Sequence, residues 1–262
     1  MWGAIIGDIA GSIYEFNNHR SKEFELLAPE CFFTDDTVMT VAVGKALLDS
    51  GENDYLFSKG VVDEMKYFGR KYPDAGYGGK FRAWLGQYDP VPYDSYGNGS
   101  AMRVSACGFA AKTLEQAVRL AYNSAYCTHN HFEGVKGACA VSVAIFLARG
   151  GKSKEEIKEY INKYYYKTDF TLDEIRDTYK FNETCQQTVP QAFEAFFEST
   201  DFEDAIRNAV SVGGDSDTLA AITGSVAQAY YGIPDELIAK ARTYLDGFLL
   251  ETVDRFDEKY LK

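Results

Sequence analysis

Gly134-Val135-Lys136-Gly137-Ala138-Cys139-Ala140-Val141-Ser142-Val143-Ala144-Ile145-Phe146-Leu147-Ala148-Arg149 is apolar nearly all round. A helix without a polar face belongs inside a protein, because every side of it has to leave water. The stretch is shorter than the ~20 apolar residues that cross a bilayer, so it reads as the buried centre of a helical core. Residues 37–49 and 218–231 repeat the pattern, and Gly232 followed by Pro234 stops the second of them. Further out, Ser153-x-x-Glu156, Thr171-x-x-Glu174 and Asp201-x-x-Asp204 are capping patterns that open helices. Pro190 suits the first turn of a helix over residues 191–197. From Pro234 the chain reads as helix with a break at Gly247. The lysine-, glutamate- and tyrosine-rich region 152–180 reads as two solvated helices. Gly3, Gly7 and Gly11 fall on one face of the first helix, the pattern of a close helix–helix contact. Strand-like alternation is scarce, and neither an internal repeat nor a low-complexity linker divides the chain. The expectation is one compact all-α domain over residues 1–262.

The 262 residues carry 39 acidic and 27 basic side chains, a net charge of −12. That balance disfavours nucleic acid as a partner, since a basic stripe is the footprint of polyanion binding. It leaves room for a small anionic ligand, because bound cations and oriented backbone amides supply positive potential locally. The five cysteines are an odd count with no C-x-x-C pair, as expected of reduced thiols in the cytoplasm. No apolar run is long enough for a membrane span, and no basic leader precedes an apolar run.

Two aspartate clusters each open a helix: Phe33-Thr34-Asp35-Asp36-Thr37 and Gly213-Gly214-Asp215-Ser216-Asp217-Thr218. One acid at a helix start is an ordinary cap or first-turn residue. Two side by side repel unless a cation lies between them, and here the arrangement occurs twice ahead of apolar helices. Thr34, Asp35, Asp36, Asp215, Asp217 and Thr218 are all oxygen donors with no neighbouring Cys or His, which favours a hard cation over zinc. Four carboxylates neutralise two divalent ions, and metal pairs roughly 3.5–4 Å apart are a recurrent hydrolytic device. Magnesium is the expected metal, with manganese able to substitute.

A third stretch, Ser95-Tyr96-Gly97-Asn98-Gly99-Ser100-Ala101-Met102-Arg103, is a glycine-rich turn entering a small-residue helix. Its backbone N–H groups suit phosphate, although a plain turn capped by Asn98 or Ser100 reads equally well. A fourth, Thr128-His129-Asn130-His131, precedes the buried helix. A Cys127/His129 thiol dyad is conceivable there, but nothing around it would activate a thiol.

In this order, with Gly7-Asp8-Ile9-Ala10-Gly11 before them and Thr188-Val189-Pro190 between, these stretches resemble the ADP-ribosylglycohydrolase family along nearly the whole chain. The resemblance implies a compact all-α fold and a pair of magnesium ions held by Thr34, Asp35, Asp36, Asp215, Asp217 and Thr218. It implies that the Gly97-Asn98-Gly99 turn with Ser100 holds a pyrophosphate, and that Tyr96 stacks near an adenosine. Tyr14-Glu15, Gly76-Tyr77-Gly78, Ser95-Tyr96 and His129 are similar to the branch that acts on O-linked ADP-ribose. That places Glu15 as the acid/base, with Gly78, Ser95 and His129 at the substrate; Asp74 is the second choice for the acid/base role. The expected substrate is an ADP-ribosylated protein or small ADP-ribosyl conjugate, linked through serine, O-acetyl or poly(ADP-ribose). The chain is shorter than that branch's animal members, and Tyr93 is the one aromatic of its 90–94 segment able to serve the adenosine. Three alternatives stand beside this reading. An arginine-specific ADP-ribosylhydrolase would share the site, and a non-catalytic ADP-ribose-binding protein would share the fold. An isoprenoid synthase would need an acid where Met39 stands.

Overall fold

Every residue of the first helix, α1 (Trp2–Gly11), is buried. Its glycine face explains why. A Cβ at Gly3 would stand 2.0 Å from the Gly224 carbonyl oxygen, and one at Gly7 would stand 2.1 Å from that of Ala220. At Gly11 the nearest atom would be the Asp217 Cα, 2.5 Å away. The opposing numbers fall as the glycine numbers rise, so the two helices run antiparallel in backbone contact. Their packing sets the last turn of α1 beside the first turn of the helix that carries Asp217.

The computed structural model describes residues 1–51 and 53–261, and its regular elements are fifteen helices. After α1 come α2 (Asp35–Ser50), α3 (Asp54–Lys71), α4 (Gly79–Leu85), α5 (Gly99–Met102), α6 (Ser105–Ala110) and α7 (Leu114–Tyr126). Then follow α8 (Phe132–Arg149), α9 (Lys154–Tyr164), α10 (Leu172–Ile175), α11 (Cys185–Phe197) and α12 (Phe202–Val212). The chain closes with α13 (Ser216–Tyr231), α14 (Asp235–Arg242) and α15 (Gly247–Tyr260). The only strand-like pairing among the described residues is an isolated antiparallel bridge between Gly97 and Thr184. The all-α expectation holds, and none of the described helices is long and apolar enough to cross a membrane.

The central helix α8 packs against α5, α6, α7, α11 and α13, as its all-round apolarity requires. Helix α2 lies against α3 and α15. Both expected capping boxes are formed, at Ser153/Glu156 and Thr171/Glu174, and Asp201 accepts from the Asp204 N–H. Gly232 closes α13 at φ +76°, and the break near Gly247 is where Asp246 caps α15.

Two expectations are corrected. Helix α11 starts at Cys185, so Pro190 lies inside it rather than in its first turn. The earlier start has an anchor: the Asn182 side chain accepts from the N–H and hydroxyl of Thr184 (2.9 and 2.6 Å), and Cys185 N–H donates to the Tyr96 carbonyl at 3.0 Å. With the turn fixed from outside, the proline removes one internal hydrogen bond without deciding where the helix begins. In the 152–180 region the second helix is the single turn α10, and Leu172, Tyr166, Ile157 and Ile161 are buried. The polar composition hid a minority of apolar side chains spaced to reach the core.

Candidate active site

Three helix ends meet where α1 runs out and α2 and α13 begin. Asp8, fully buried in α1, accepts three hydrogen bonds: from the Thr34 hydroxyl at 2.7 Å, Thr34 N–H at 2.9 Å and Thr37 N–H at 3.0 Å. Thr34 in turn caps α2, its hydroxyl oxygen accepting from Asp36 N–H at 3.2 Å. The start of α2, with Asp35 and Asp36, is thus fastened to α1 through one carboxylate. Across from it, α13 presents Asp215, Asp217 and Thr218, and the Thr218 hydroxyl donates to Asp36 Oδ2 at 3.2 Å. The two aspartate clusters, 182 residues apart, are therefore in direct contact.

The backbone ahead of α13 needs its glycines. Gly213 and Gly214 both sit at positive φ (+74° and +76°), a conformation that costs other residues free energy. The turn is clasped by Asn18, which accepts from Gly214 N–H, and by Arg20, which donates to the Val212 carbonyl at 2.9 Å. Asp215 is then oriented by Asn98, whose amide donates to it at 2.7 Å and to the Thr188 hydroxyl at 3.1 Å. Asn98 occupies the N-cap position of α5, but its side chain makes no capping bond and goes to Asp215 and Thr188 instead. Thr188 and Asn98, 90 residues apart, thus meet beside Asp215.

Glu15 stands in the turn after α1, and it, Asp215 and Asp217 each bring an oxygen within 4.8 Å of the others. This grouping can hold a metal ion. Glu15 thus joins two of the aspartates in this group, whereas the sequence sets it apart from the ligands. Burial, then Asp215 and Asp8, lifts the Glu15 carboxyl to about 7. Asp35 is pushed up to about 8 by burial and by Asp8 and Asp215. Asp36 and Asp217 are raised well above the ordinary range, burial first and neighbouring carboxylates second. Burial also raises Asp8 and Asp215, tempered by their hydrogen bonds. Among the described residues no lysine or arginine forms an ion pair with any of these six acids. The buried Asp36 Oδ1 has no hydrogen-bond partner at all. Like charges gathered out of water with an orphaned oxygen fit a hard divalent cation.

The glycine turn borders this cluster. Gly97 N–H donates to the Ser95 hydroxyl at 3.2 Å and Asn98 N–H to the Glu183 carbonyl at 2.7 Å. Those bonds hold the turn against Ser95 and the segment at Glu183. The Ser100 hydroxyl donates to the Gly134 carbonyl at 2.6 Å, tying the turn to α8. Tyr96 is 46 % exposed with its ring 5.2 Å from that of His131, open to a stacking partner. His129 is buried behind the turn. The Gly76-Tyr77-Gly78 loop reaches the cluster through Gly76, where a Cβ would lie 3.4 Å from Asp35 Oδ1, while Gly78 caps α4. Asp74 is exposed in an open groove with Pro73, Tyr77 and Arg82, outside the carboxylate cluster. The Cys127 thiol donates to the Ser124 carbonyl at 3.4 Å and burial raises it, so no activated dyad forms with His129.

Sequence reasoning missed Asp8 and the orienting role of Asn98. The signal for Asp8 was an acid at an inward position of an otherwise apolar, glycine-striped helix.

A profile of the ADP-ribosylglycohydrolase family matches residues 1–261, and the chain belongs to that family of enzymes. It is 26 % identical to ADP-ribosylhydrolase ARH3 of Mus musculus, over 88 % of this chain and 82 % of the relative. It is 28 % identical to ADP-ribosylarginine hydrolase Tri1 of Pseudomonas putida (92 % and 72 % covered) and 26 % identical to ADP-ribosyl-[dinitrogen reductase] glycohydrolase of Rhodospirillum rubrum (77 % and 70 %). Among solved structures, an ADP-ribosylglycohydrolase-related protein complex superposes with a TM-score of 0.69 at 24 % identity, covering 93 % of this chain and 96 % of the other. That likeness concerns the fold.

Proposed function

We propose that the whole chain, residues 1–262, is a magnesium-dependent cytoplasmic hydrolase that cleaves the bond between the distal ribose of ADP-ribose and its acceptor. O-linked acceptors (serine, O-acetyl or poly-ADP-ribose) are preferred over arginine. The observation that carries the reaction type is the convergence of Asp35, Asp36, Asp215 and Asp217 with Glu15 at three helix ends. Thr34, Asp35, Asp36, Asp215, Asp217 and Thr218 would hold two magnesium ions; manganese could replace them. Bound there, such ions supply charge neutralisation and Lewis acidity toward ribose hydroxyls.

The chain's own groups do the rest. Gly97, Asn98, Gly99 and Ser100 bind the pyrophosphate, Ser95 and Gly78 line the approach, His129 backs the turn and Tyr96 stacks on the adenosine. Hydrolysis forms a bond from water to the anomeric carbon and breaks the bond to the acceptor, through an oxocarbenium-like transition state. Glu15 takes the proton from water and returns one to the departing oxygen. In the metal-free protein burial and the neighbouring carboxylates lift this carboxyl to about 7, and bound cations would bring it down again.

Preference for O-linked substrates rests on Tyr14-Glu15, Gly76-Tyr77-Gly78, Tyr96 and His129, and on the similarity to ADP-ribosylhydrolase ARH3. The arginine reading has in its favour the similarity to ADP-ribosylarginine hydrolase Tri1 and a net charge of −12, which would steer a cationic substrate. Matched seryl- and arginyl-ADP-ribosylated peptides, compared by kcat/KM in one magnesium buffer, separate the two. Higher kcat/KM on the seryl peptide is expected; higher kcat/KM on the arginyl peptide reverses the assignment and leaves the reaction type in place.

A further inference from the structure

Arg103 is 1 % exposed, and among the described residues no carboxylate pairs with it. Its Nη2 donates to the Ser124 carbonyl at 3.0 Å and to the Thr128 hydroxyl oxygen at 2.8 Å, while its Nε has no partner. A guanidinium only donates, so the Thr128 oxygen accepts there, and its own hydrogen must go elsewhere. Two acceptors are in reach: His129 Nδ1 at 2.7 Å and the Ala125 carbonyl at 3.4 Å. The contact with Nδ1 is the shorter of the two and the better placed to take that hydrogen. An imidazole that accepts at Nδ1 and stays neutral carries its proton on Nε2. Burial, reinforced by the Arg103 charge, holds His129 well below the ordinary histidine range, which keeps the ring neutral.

The other end of that ring faces the glycine turn. A Cβ on Gly99 would lie 3.4 Å from His129 Nε2, and one on Gly97 would lie 3.5 Å from it. His129 Nε2 therefore faces the space that the two glycines leave open.

We infer that Arg103 and Thr128 are positioning residues that lock His129 as an Nε2–H donor, so that the Gly97–Ser100 turn presents a side-chain donor to a phosphate oxygen. The inference deepens the hydrolase reading and rests on it for the identity of the ligand. A buried arginine reaching the ligand through two side chains has a physical advantage here. An arginine at the turn itself would be captured by the neighbouring carboxylates, whereas this one is walled off from them. The donor it fixes also keeps its proton across the working pH range.

The test begins with the unliganded wild-type protein labelled with 15N-histidine, where the ring nitrogen shifts report the tautomer. An Nε2-protonated neutral ring is expected for His129; a ring protonated at Nδ1 overturns the relay without any variant being made. Thr128→Val removes the hydroxyl at nearly constant volume, and Thr128→Ser restores it. In magnesium buffer, Thr128→Val is expected to lose the single tautomer and bind ADP-ribose roughly tenfold more weakly, the scale of one hydrogen bond to a charged acceptor, with Thr128→Ser recovering both. Wild-type affinity in Thr128→Val overturns the relay alone. A wild-type protein that binds no ADP-ribose overturns the hydrolase reading, and the ligand part of this inference with it.

Discussion

Asp8 and Glu15 lie seven positions apart and have opposite duties. Asp8 accepts from three donors, and protonating it would loosen the start of α2. Glu15 has no side-chain hydrogen bond among the described residues, is only half-buried, and is lifted to about 7. A carboxyl that no hydrogen bond engages is the one free to exchange protons with substrate. Glu15→Gln keeps the shape and removes the titration. Its turnover is expected to fall at least ~100-fold, with ADP-ribose affinity by calorimetry little changed. Normal turnover in that variant would remove Glu15 from the chemistry. The paired aspartates stood out in the sequence as neighbouring like charges, and the structure brings the two pairs into contact. Asp8 did not, because its partners Thr34 and Thr37 lie 26 and 29 residues away and nothing local marks them.

The helices themselves were legible wherever periodicity and caps agreed, as in α8, α13 and the boxes at Ser153 and Thr171. The start of α11 was not legible, since Tyr96, far away in sequence, supplies the acceptor that anchors Cys185. The glycine stripe of α1 was readable as close packing, but its consequence appears only in three dimensions. The α1–α13 contact sets the distance between the Asp8-anchored cluster and the Asp215–Asp217 cluster. Gly7→Val therefore tests the element rather than the site. A Cβ there would sit 2.1 Å from the Ala220 carbonyl, and backbone cannot yield as a flexible side chain does. A loss of at least about 1–3 kcal/mol in denaturant unfolding is expected, the scale of overpacking, together with weaker magnesium binding. Wild-type stability would show that the two helices part freely.

For the whole molecule, the gathered acids make stability depend on pH and on metal together. In metal-free protein the folded state keeps protons on Glu15 and Asp35 up to about 7 and about 8, where the unfolded chain has already released them above 4.5 and 3.8. The folded state thus binds more protons in that window, so stability falls as pH rises through it. With a chelator present, Tm is expected to drop from about pH 5 to about pH 8; with magnesium the drop should shrink, because the cation stabilises the ionised acids. A flat Tm in chelator would contradict the burial of these carboxylates. The most direct test of the central claim is release of free ADP-ribose from defined seryl, arginyl and O-acetyl conjugates, measured in magnesium, after exhaustive chelation and after magnesium is restored. The expected result is release that stops on chelation and returns with the metal. Undiminished release without metal, or none from any conjugate with it, would contradict a metal-dependent ADP-ribosyl hydrolase.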